Sequence, residues 1–298
     1  MPVIAALIVV QVIYASGVLV GKYILPTVPA PVIVTLRMVI ASAAFYAAHR
    51  AYRSRMPSLG SDWARFALLG ILGGAGNQFL ILTGLTRTTA INTAIMIPMI
   101  PIFTVLFGWL LRLDRPGGLK WAGVAVAAGG TAYLIGPERV SLGPEVTLGN
   151  ILVLAGMAFN ALAFLLSKDL LRRHPPVTVA FCLTIAGLIG VLPLGVLAAD
   201  SVDTSALTPR VMMWLAYMVV FPTTVTYFLN LWSLRQASPV LVTSFIYLQP
   251  LFAMAVAPLV LEGERLTLPV VVAGILIFTG VGLVLAGERR QRASPVPN

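Results

Sequence analysis

The sequence predicts an all-α integral membrane protein with ten transmembrane helices, arranged as two inverted repeats of five helices each. The first observation is composition: hydrophobic residues make up 59% of the 298 residues and charged residues only 10%, whereas soluble domains carry about 25% charged residues. The second is that the apolar residues gather into ten segments of membrane-spanning length. The third is that the second half of the chain repeats the pattern of the first half.

The ten apolar segments are separated by short connections rich in proline, glycine and charged residues. A helix rises about 1.5 Å per residue, so roughly 20 apolar residues cross a hydrocarbon core of about 30 Å. The predicted spans cover residues 2–24, 31–49, 63–85, 88–111, 119–136, 148–170, 176–199, 210–232, 238–261 and 268–286. The longest polar connection follows the fifth span and predicts a first repeat at 1–140, a second repeat at 146–288 and a basic cytoplasmic tail at 289–298.

The first segment is expected to stay in the membrane as a helix. The N-terminus, Met1-Pro-Val-Ile-Ala-Ala-Leu, lacks the basic region that begins a cleavable signal peptide and runs straight into the apolar segment. The chain has one cysteine, Cys182, which excludes a disulfide framework and a thiolate metal site within the chain.

The basic residues predict how the chain is oriented. The net charge of +10 could indicate nucleic-acid binding, but the Lys and Arg residues lie between hydrophobic spans rather than on one face of a folded domain. With the N-terminus inside, inner loops hold 14 of them and outer loops hold 5, in agreement with the positive-inside rule. We therefore expect both termini to lie in the cytoplasm. Because five is an odd number, the second repeat must enter the membrane from the opposite side.

The fourth and ninth spans, 88–111 and 238–261, are two copies of one pattern, an apolar run interrupted by proline and closed by a charged turn. Proline inside a membrane helix frees a carbonyl that lipid cannot satisfy, so these spans should face protein or a wet cavity. We predict that they bend at the prolines, and that the eighth span bends similarly, to open one side of a cavity while closing the other. The predicted hinges are Pro98, Pro101, Pro222 and Pro250.

Polar side chains near the middle of several spans are the candidate ligand contacts, because polar groups in hydrocarbon are costly unless they face a cavity or each other. Many recur at helical spacing, as Gln11 and Tyr14 do in the first span. The alternative for each one is packing across helices by hydrogen bonds. The predicted cavity residues are Gln11, Tyr14, Arg37, Asn77, Gln78, Asn92, Met96, Met99, Asn160, Thr223, Tyr227, Asn230, Thr243, Tyr247 and Gln249.

Arg37 is the only charged residue well inside a predicted span. Two roles remain open for it. It could hold a carboxylate of a bound solute, since an ionisable group inside the membrane is a functional candidate. It could instead bond backbone carbonyls freed by a nearby proline or glycine and so fix helix packing.

The ten acidic residues all fall in loops or at span ends, and His49 and His174 lie at cytoplasmic edges. We therefore expect no buried carboxylate and no proton relay inside the membrane, which favours movement of solute down its own gradient. The sequence also lacks the paired intramembrane aspartates, the His-Glu-x-x-His helix and the phosphate loop that membrane proteases and ATP-driven pumps require. It therefore predicts a non-enzyme without metal or cofactor.

The end of each repeat carries a family resemblance. A short charged turn, Arg112-Leu-Asp-Arg115 or Leu261-Glu-Gly-Glu-Arg265, follows each proline-containing span, and a glycine-rich span that begins near Trp121-Ala-Gly or Val272-Ala-Gly comes next. In this pattern the whole chain resembles the drug/metabolite transporter superfamily, and within it the family with two EamA domains. A narrower similarity is to exporters of aromatic amino acids in bacterial inner membranes, and this resemblance implies a bacterial inner-membrane protein. The first turn departs from the Gly-Glu that this family usually has.

Inverted repeats around a mid-membrane site are typical of carriers that work by alternating access. Together with the resemblance, they predict export of a small metabolite, with an aromatic or neutral amino acid as the expected substrate and the lipid bilayer as the other partner. Nucleic acid is not expected to bind. The alternatives are a proton-coupled drug or metabolite efflux pump, a lipid-carrier flippase and a membrane scaffold that transports nothing.

Overall fold

The computed structural model describes residues 2–54, 56–57, 61–88, 92–93, 96–97, 99–113, 115–135, 144–249, 251–252 and 268–293. Within these ranges the regular structure is helical and no strand occurs, which confirms the all-α prediction. Six helices there are long and apolar enough to cross a membrane: Ala30–Ala51, Asp62–Arg87, Val146–Arg173, Pro176–Leu197, Pro209–Gln236 and Val271–Gln291. The count of ten spans stays a prediction.

The helices of the first half are α1 (Val3–Ile24), α2 (Ala30–Ala51), α3 (Ser61–Leu69), α4 (Asn77–Arg87), α5 (Met99–Leu110) and α6 (Gly118–Ile135). Those of the second half are α7 (Pro144–Arg173), α8 (Pro176–Leu197), α9 (Pro209–Val219), α10 (Thr226–Gln236), α11 (Pro239–Ser244) and α12 (Leu268–Ala293). Proline stands in the first turn of α2, α8, α9 and α11, where its missing N–H breaks no hydrogen bond. A short 3₁₀ turn, Phe245–Tyr247, continues α11.

Among the described residues, each half contains one π-helical turn, and the two turns lie at matching positions. Gly70–Gly76 joins α3 to α4, and Val220–Val225 joins α9 to α10. The wider turn sends the N–H of Asn77 back five residues to the carbonyl of Leu72. A Cβ on Gly76 would lie 2.3 Å from the Ile71 carbonyl oxygen, so only glycine fits this close approach of backbone to backbone. Single π-helical turns of this kind are frequent at functional sites.

Two pairs of matching helices, α6 with α12 and α2 with α8, pack side by side and run antiparallel. In the α6–α12 pair, a Cβ on Gly123 would lie 2.6 Å from the carbonyl oxygen of Gly280, and one on Gly130 would lie 3.2 Å from that of Ala273. The start of each helix therefore lies beside the later part of the other. Glycine permits this close approach, as in other membrane helix pairs.

The α2–α8 pair follows the same rule. The Thr35 side chain, near the start of α2, packs on Gly195 near the end of α8. At the opposite end of the pair, His49 Nδ1 lies 3.1 Å from Thr178 Oγ1. Further contacts between the two halves include α4 on α7, α5 on α7, α8 on the Gly70–Gly76 turn and α1 on α10. The two halves are thus interleaved rather than separate.

A buried ion pair joins three elements at one end of the helix bundle, and it corrects the expectation that no carboxylate is buried. Lys120 of α6 is 1% exposed and Glu288 of α12 is 8% exposed, with Nζ and Oε2 2.8 Å apart. Ser238, the residue before α11, donates its hydroxyl to Glu288 Oε2 at 2.6 Å and its N–H to Oε1 at 3.1 Å. The sequence pattern missed this burial because α12 continues past the predicted end of the tenth span, through Ala293.

Candidate functional site

A cavity of about 190 Å³ lies between the two halves. Helices of both halves and both π-helical turns contribute side chains to it. Its polar lining consists of Gln11, Tyr14, Arg37, Asn77, Gln78, Thr93, Asn160, Ser167, Tyr227, Asn230 and Gln249. Among the described residues that line it there is no carboxylate and no histidine. The rest of the wall is apolar and includes Ile81, Leu82, Met157, Phe164 and Met218.

Two hydrogen bonds cross the cavity wall from α1 to the second half of the chain. Gln249 donates its side-chain Nε2 to Gln11 Oε1 at 2.7 Å, and both residues are more than nine-tenths buried. Asn230 of α10 donates Nδ2 to the Tyr14 hydroxyl at 3.3 Å. These bonds satisfy polar groups that would otherwise be buried unpaired, and they fix the position of α1 beside the cavity.

Arg37 of α2 lines the cavity and also holds the second π-helical turn. Its Nε donates to Thr223 Oγ1 at 2.6 Å and its Nη2 to the Pro222 carbonyl at 3.3 Å. The Thr223 hydroxyl in turn donates a hydrogen bond to the Met218 carbonyl at 3.0 Å. Arg37 therefore fixes helix packing through these bonds, which is the structural role considered for it above. It also lines the cavity, so its guanidinium is within reach of a solute there.

Three amides on the cavity wall keep a side-chain oxygen without a partner. The oxygens are Asn77 Oδ1, Gln78 Oε1 and Asn160 Oδ1, all shielded from bulk solvent and without a hydrogen bond among the described residues. An unsatisfied buried acceptor costs about 1–3 kcal/mol. All three belong to side chains that line the cavity, and a hydrogen-bond donor that came within reach of these oxygens there would satisfy them.

The remaining predicted cavity residues lie away from the lining. Asn92 donates to Asn150 Oδ1 at 3.2 Å, and Thr243 bonds the Pro239 carbonyl within α11. Tyr247 is fully buried in the core. Three further members are outside the cavity wall: Met96 packs near α7, Met99 begins α5, and Thr223 stands behind Arg37.

Around the fourth span, the side chains that face the cavity are Thr93, Ile97 and Ile100. They follow the predicted set Asn92, Met96 and Met99 by about one residue, which is a rotation of about 100° around a helix. Ser167 was also missed, although it follows the cavity residues Asn160 and Phe164 at helical spacing, which is the signal that could have identified it.

Two of the four predicted hinge prolines, Pro98 and Pro250, lie outside the described residues. Pro101 stands in the first turn of α5 and is buried, where it removes no hydrogen bond within that helix. Pro222 stands inside the second π-helical turn and lines the cavity.

Comparison with known proteins places this geometry in a family. A probable terminal-alkyne amino-acid exporter of Streptantibioticus cattleyicolor is 27% identical over 263 residues, which cover 87% of this chain and 86% of the exporter. An uncharacterised inner membrane transporter of Escherichia coli K12, YedA, is 28% identical over 238 residues, covering 77% of this chain and 73% of YedA. One solved crystal structure superimposes on this chain with a TM-score of 0.75 and 20% sequence identity. The alignment covers 98% of this chain and 100% of the other. That likeness shows the fold.

The sequence profile of the EamA-like transporter family matches the chain twice, at residues 1–136 and 147–286. The two matches account for both halves of the helical bundle and leave out the connection between them. The chain is a multi-pass membrane protein of the EamA-like transporter family, with two EamA domains.

Proposed function

We propose that this transporter exports amino acids with neutral or aromatic side chains across the bacterial inner membrane, by alternating access and without proton coupling. The observation that carries the proposal is the cavity between the halves, whose polar lining of amides, hydroxyls and one guanidinium is set among apolar side chains. Binding sites for small molecules combine an apolar wall with a few placed polar groups in this way.

Alternating access by inverted repeats is supported by the antiparallel packing of matching helices. In both the α6–α12 and the α2–α8 pairs, a helix of one half runs against its counterpart in the other. Rocking of two such halves around a shared site is how many carriers expose that site to each side in turn. Pro101 and Pro222, with Pro98 and Pro250, are the proposed points at which helices bend during this motion.

Uncoupled movement is supported by the chemistry of the lining. A proton-coupled carrier needs a group that binds and releases a proton near the substrate, and the described lining contains neither carboxylate nor histidine. Glu288 is buried, but it is paired with Lys120 and lies outside this lining. We therefore assign it to structure rather than to coupling.

The substrate class is supported by the apolar part of the wall. Tyr14, Tyr227, Phe164, Met157 and Met218 all contribute to it. Aromatic and methionine side chains give adaptable apolar contact to an aromatic or aliphatic body. The relative from Streptantibioticus cattleyicolor, named as a probable amino-acid exporter, is consistent with this class.

The test is entry of labelled phenylalanine into proteoliposomes of the purified protein, with and without a pH gradient. Entry that reaches equilibrium and ignores the gradient is expected. Asn160→Leu should slow it, whereas Ile189→Ala, at a position of α8 that is 69% exposed, should not. Accumulation driven by the pH gradient would favour a proton-coupled efflux pump. Movement of lipid carriers alone would favour a flippase, and no solute movement would favour a scaffold.

A further inference from the structure

The cavity walls contributed by the two halves are equivalent in backbone but different in chemistry. Helices α4 and α10 each follow a π-helical turn and span 11 residues, so Gln78 occupies the position that Tyr227 occupies in the other half. Helices α2 and α8 each span 22 residues, so the counterpart of Arg37 is Leu183.

The register of α1 and α7 follows from a repeated contact. A Cβ on Gly73 would meet the Ala163 side chain, and a Cβ on Gly17 would meet the Pro222 side chain. Gly73 and Pro222 stand at the same distance from the ends of their π-helical turns. Ala163 therefore corresponds to Gly17, and Asn160, three residues earlier, corresponds to Tyr14.

One side of the cavity thus presents Arg37 with the hydroxyls of Tyr14 and Tyr227. On the other side, the two tyrosine positions are matched by the amides of Asn160 and Gln78, and the Arg37 position by the apolar Leu183. The first side carries a fixed positive charge and O–H donors. The second side carries the unpartnered oxygens of Asn77, Gln78 and Asn160. The two poles differ in electrostatic character although the helices that form them are matched.

We propose that this cavity binds a zwitterionic α-amino acid by both ends, with its carboxylate at Arg37 and its ammonium group at the oxygens of Asn77, Gln78 and Asn160. This inference rests on the proposed function and specifies the recognition behind it. An ammonium group has three N–H donors and no acceptor, which matches three free acceptor oxygens. Arg37 uses Nε and Nη2 within the protein, and no hydrogen bond from its Nη1 occurs among the described residues.

The charge balance predicts how the site discriminates between solutes. The ammonium pole is built from neutral amides, so a bound zwitterion keeps its net charge of zero beside a single guanidinium. An amine without a carboxylate would place a second positive charge in the same low-dielectric space and leave Arg37 without a counterion, which is unfavourable. An acid without an ammonium group would leave the three oxygens unpaired.

The experiment is inhibition of labelled phenylalanine entry into proteoliposomes by phenylalanine, phenethylamine and 3-phenylpropionate, which share one aromatic body. We expect each of the two analogues to inhibit roughly tenfold to a hundredfold less strongly than phenylalanine, the range for loss of hydrogen bonds to a charged group. Asn160→Leu should weaken inhibition by phenylalanine and leave inhibition by 3-phenylpropionate unchanged, because only phenylalanine has an ammonium group that loses an acceptor.

Asn160→Asp supplies a carboxylate at the ammonium pole and should strengthen inhibition by phenethylamine relative to phenylalanine, because it offsets the second positive charge that the amine brings. This gain cannot come from misfolding, so it separates recognition from stability. Ile189→Ala should leave all three inhibition constants as in the native protein. Phenylalanine entry with equal inhibition by all three compounds would overturn the two-pole site alone, whereas absence of any amino-acid entry would overturn the proposed function with it.

Discussion

Replacing Glu288 by glutamine should lower the free energy of unfolding by about 3–5 kcal/mol, because it removes one partner of a buried ion pair and leaves the other charged. Lys120 is 1% exposed and its Nζ lies 2.8 Å from Glu288 Oε2, so the substitution leaves a buried ammonium group without its counterion. Glutamine keeps an oxygen for the Ser238 N–H but places an amide NH₂ where Oε2 accepted from the Ser238 hydroxyl and paired with Lys120. Lys120→Met should cost a similar amount, because it leaves the carboxylate unpaired.

The double variant Lys120→Met/Glu288→Gln should be much closer to the native protein than either single variant, because it leaves no buried charge. The coupling free energy from the double-mutant cycle should be at least about 2 kcal/mol. The matched control is the Arg65–Asp169 pair, whose side chains are 53% and 55% exposed. Exposed pairs couple by about 0.2–1 kcal/mol.

Unfolding can be followed in detergent by helical circular dichroism and by the reaction of Cys182 with a maleimide. This is the chain's one cysteine and it is fully buried, so its reaction reports the unfolded fraction. A coupling for Lys120 and Glu288 no larger than that of the exposed control pair would refute the reasoning. It would mean that the charges are hydrated or unpaired in the folded protein.

Three further outcomes are expected. Gly123→Ala should lower the free energy of unfolding by about 1–3 kcal/mol, because its Cβ would lie 2.6 Å from the Gly280 carbonyl oxygen. The control, Gly282→Ala, has a Cβ that meets nothing within 4 Å and should stabilise α12 by up to about 1 kcal/mol. Equal shifts of the melting temperature in the two variants would contradict the close helix contact. Thr223→Val should destabilise by about 1.5–3 kcal/mol, because Arg37 Nε loses its acceptor, and Thr223→Ser should restore most of the loss in the same melts. Pro222→Ala should slow phenylalanine entry, because the proline shapes the turn that lines the cavity. Its melting temperature should stay within a few degrees of that of the native protein. Unchanged entry rates would count against a hinge at this turn.

The sequence by itself determined the class of the protein, its division into two similar halves and its family. These properties follow from constraints that act locally. Every backbone group in lipid must be bonded within its own helix, so long apolar segments with few charges can be recognised one at a time. The match of the family profile to both halves agrees with the repeat visible in the sequence.

The tertiary structure alone decided which side of each helix faces the cavity and which charges find partners. The fourth span shows the first point, because a rotation of about one residue replaces Asn92 by Thr93 in the lining. Lys120 and Glu288 show the second, since each looks like an ordinary end-of-span charge until α6 and α12 pack together. Helix rotation and ion pairing depend on contacts between residues far apart in the chain, and no local pattern contains that information.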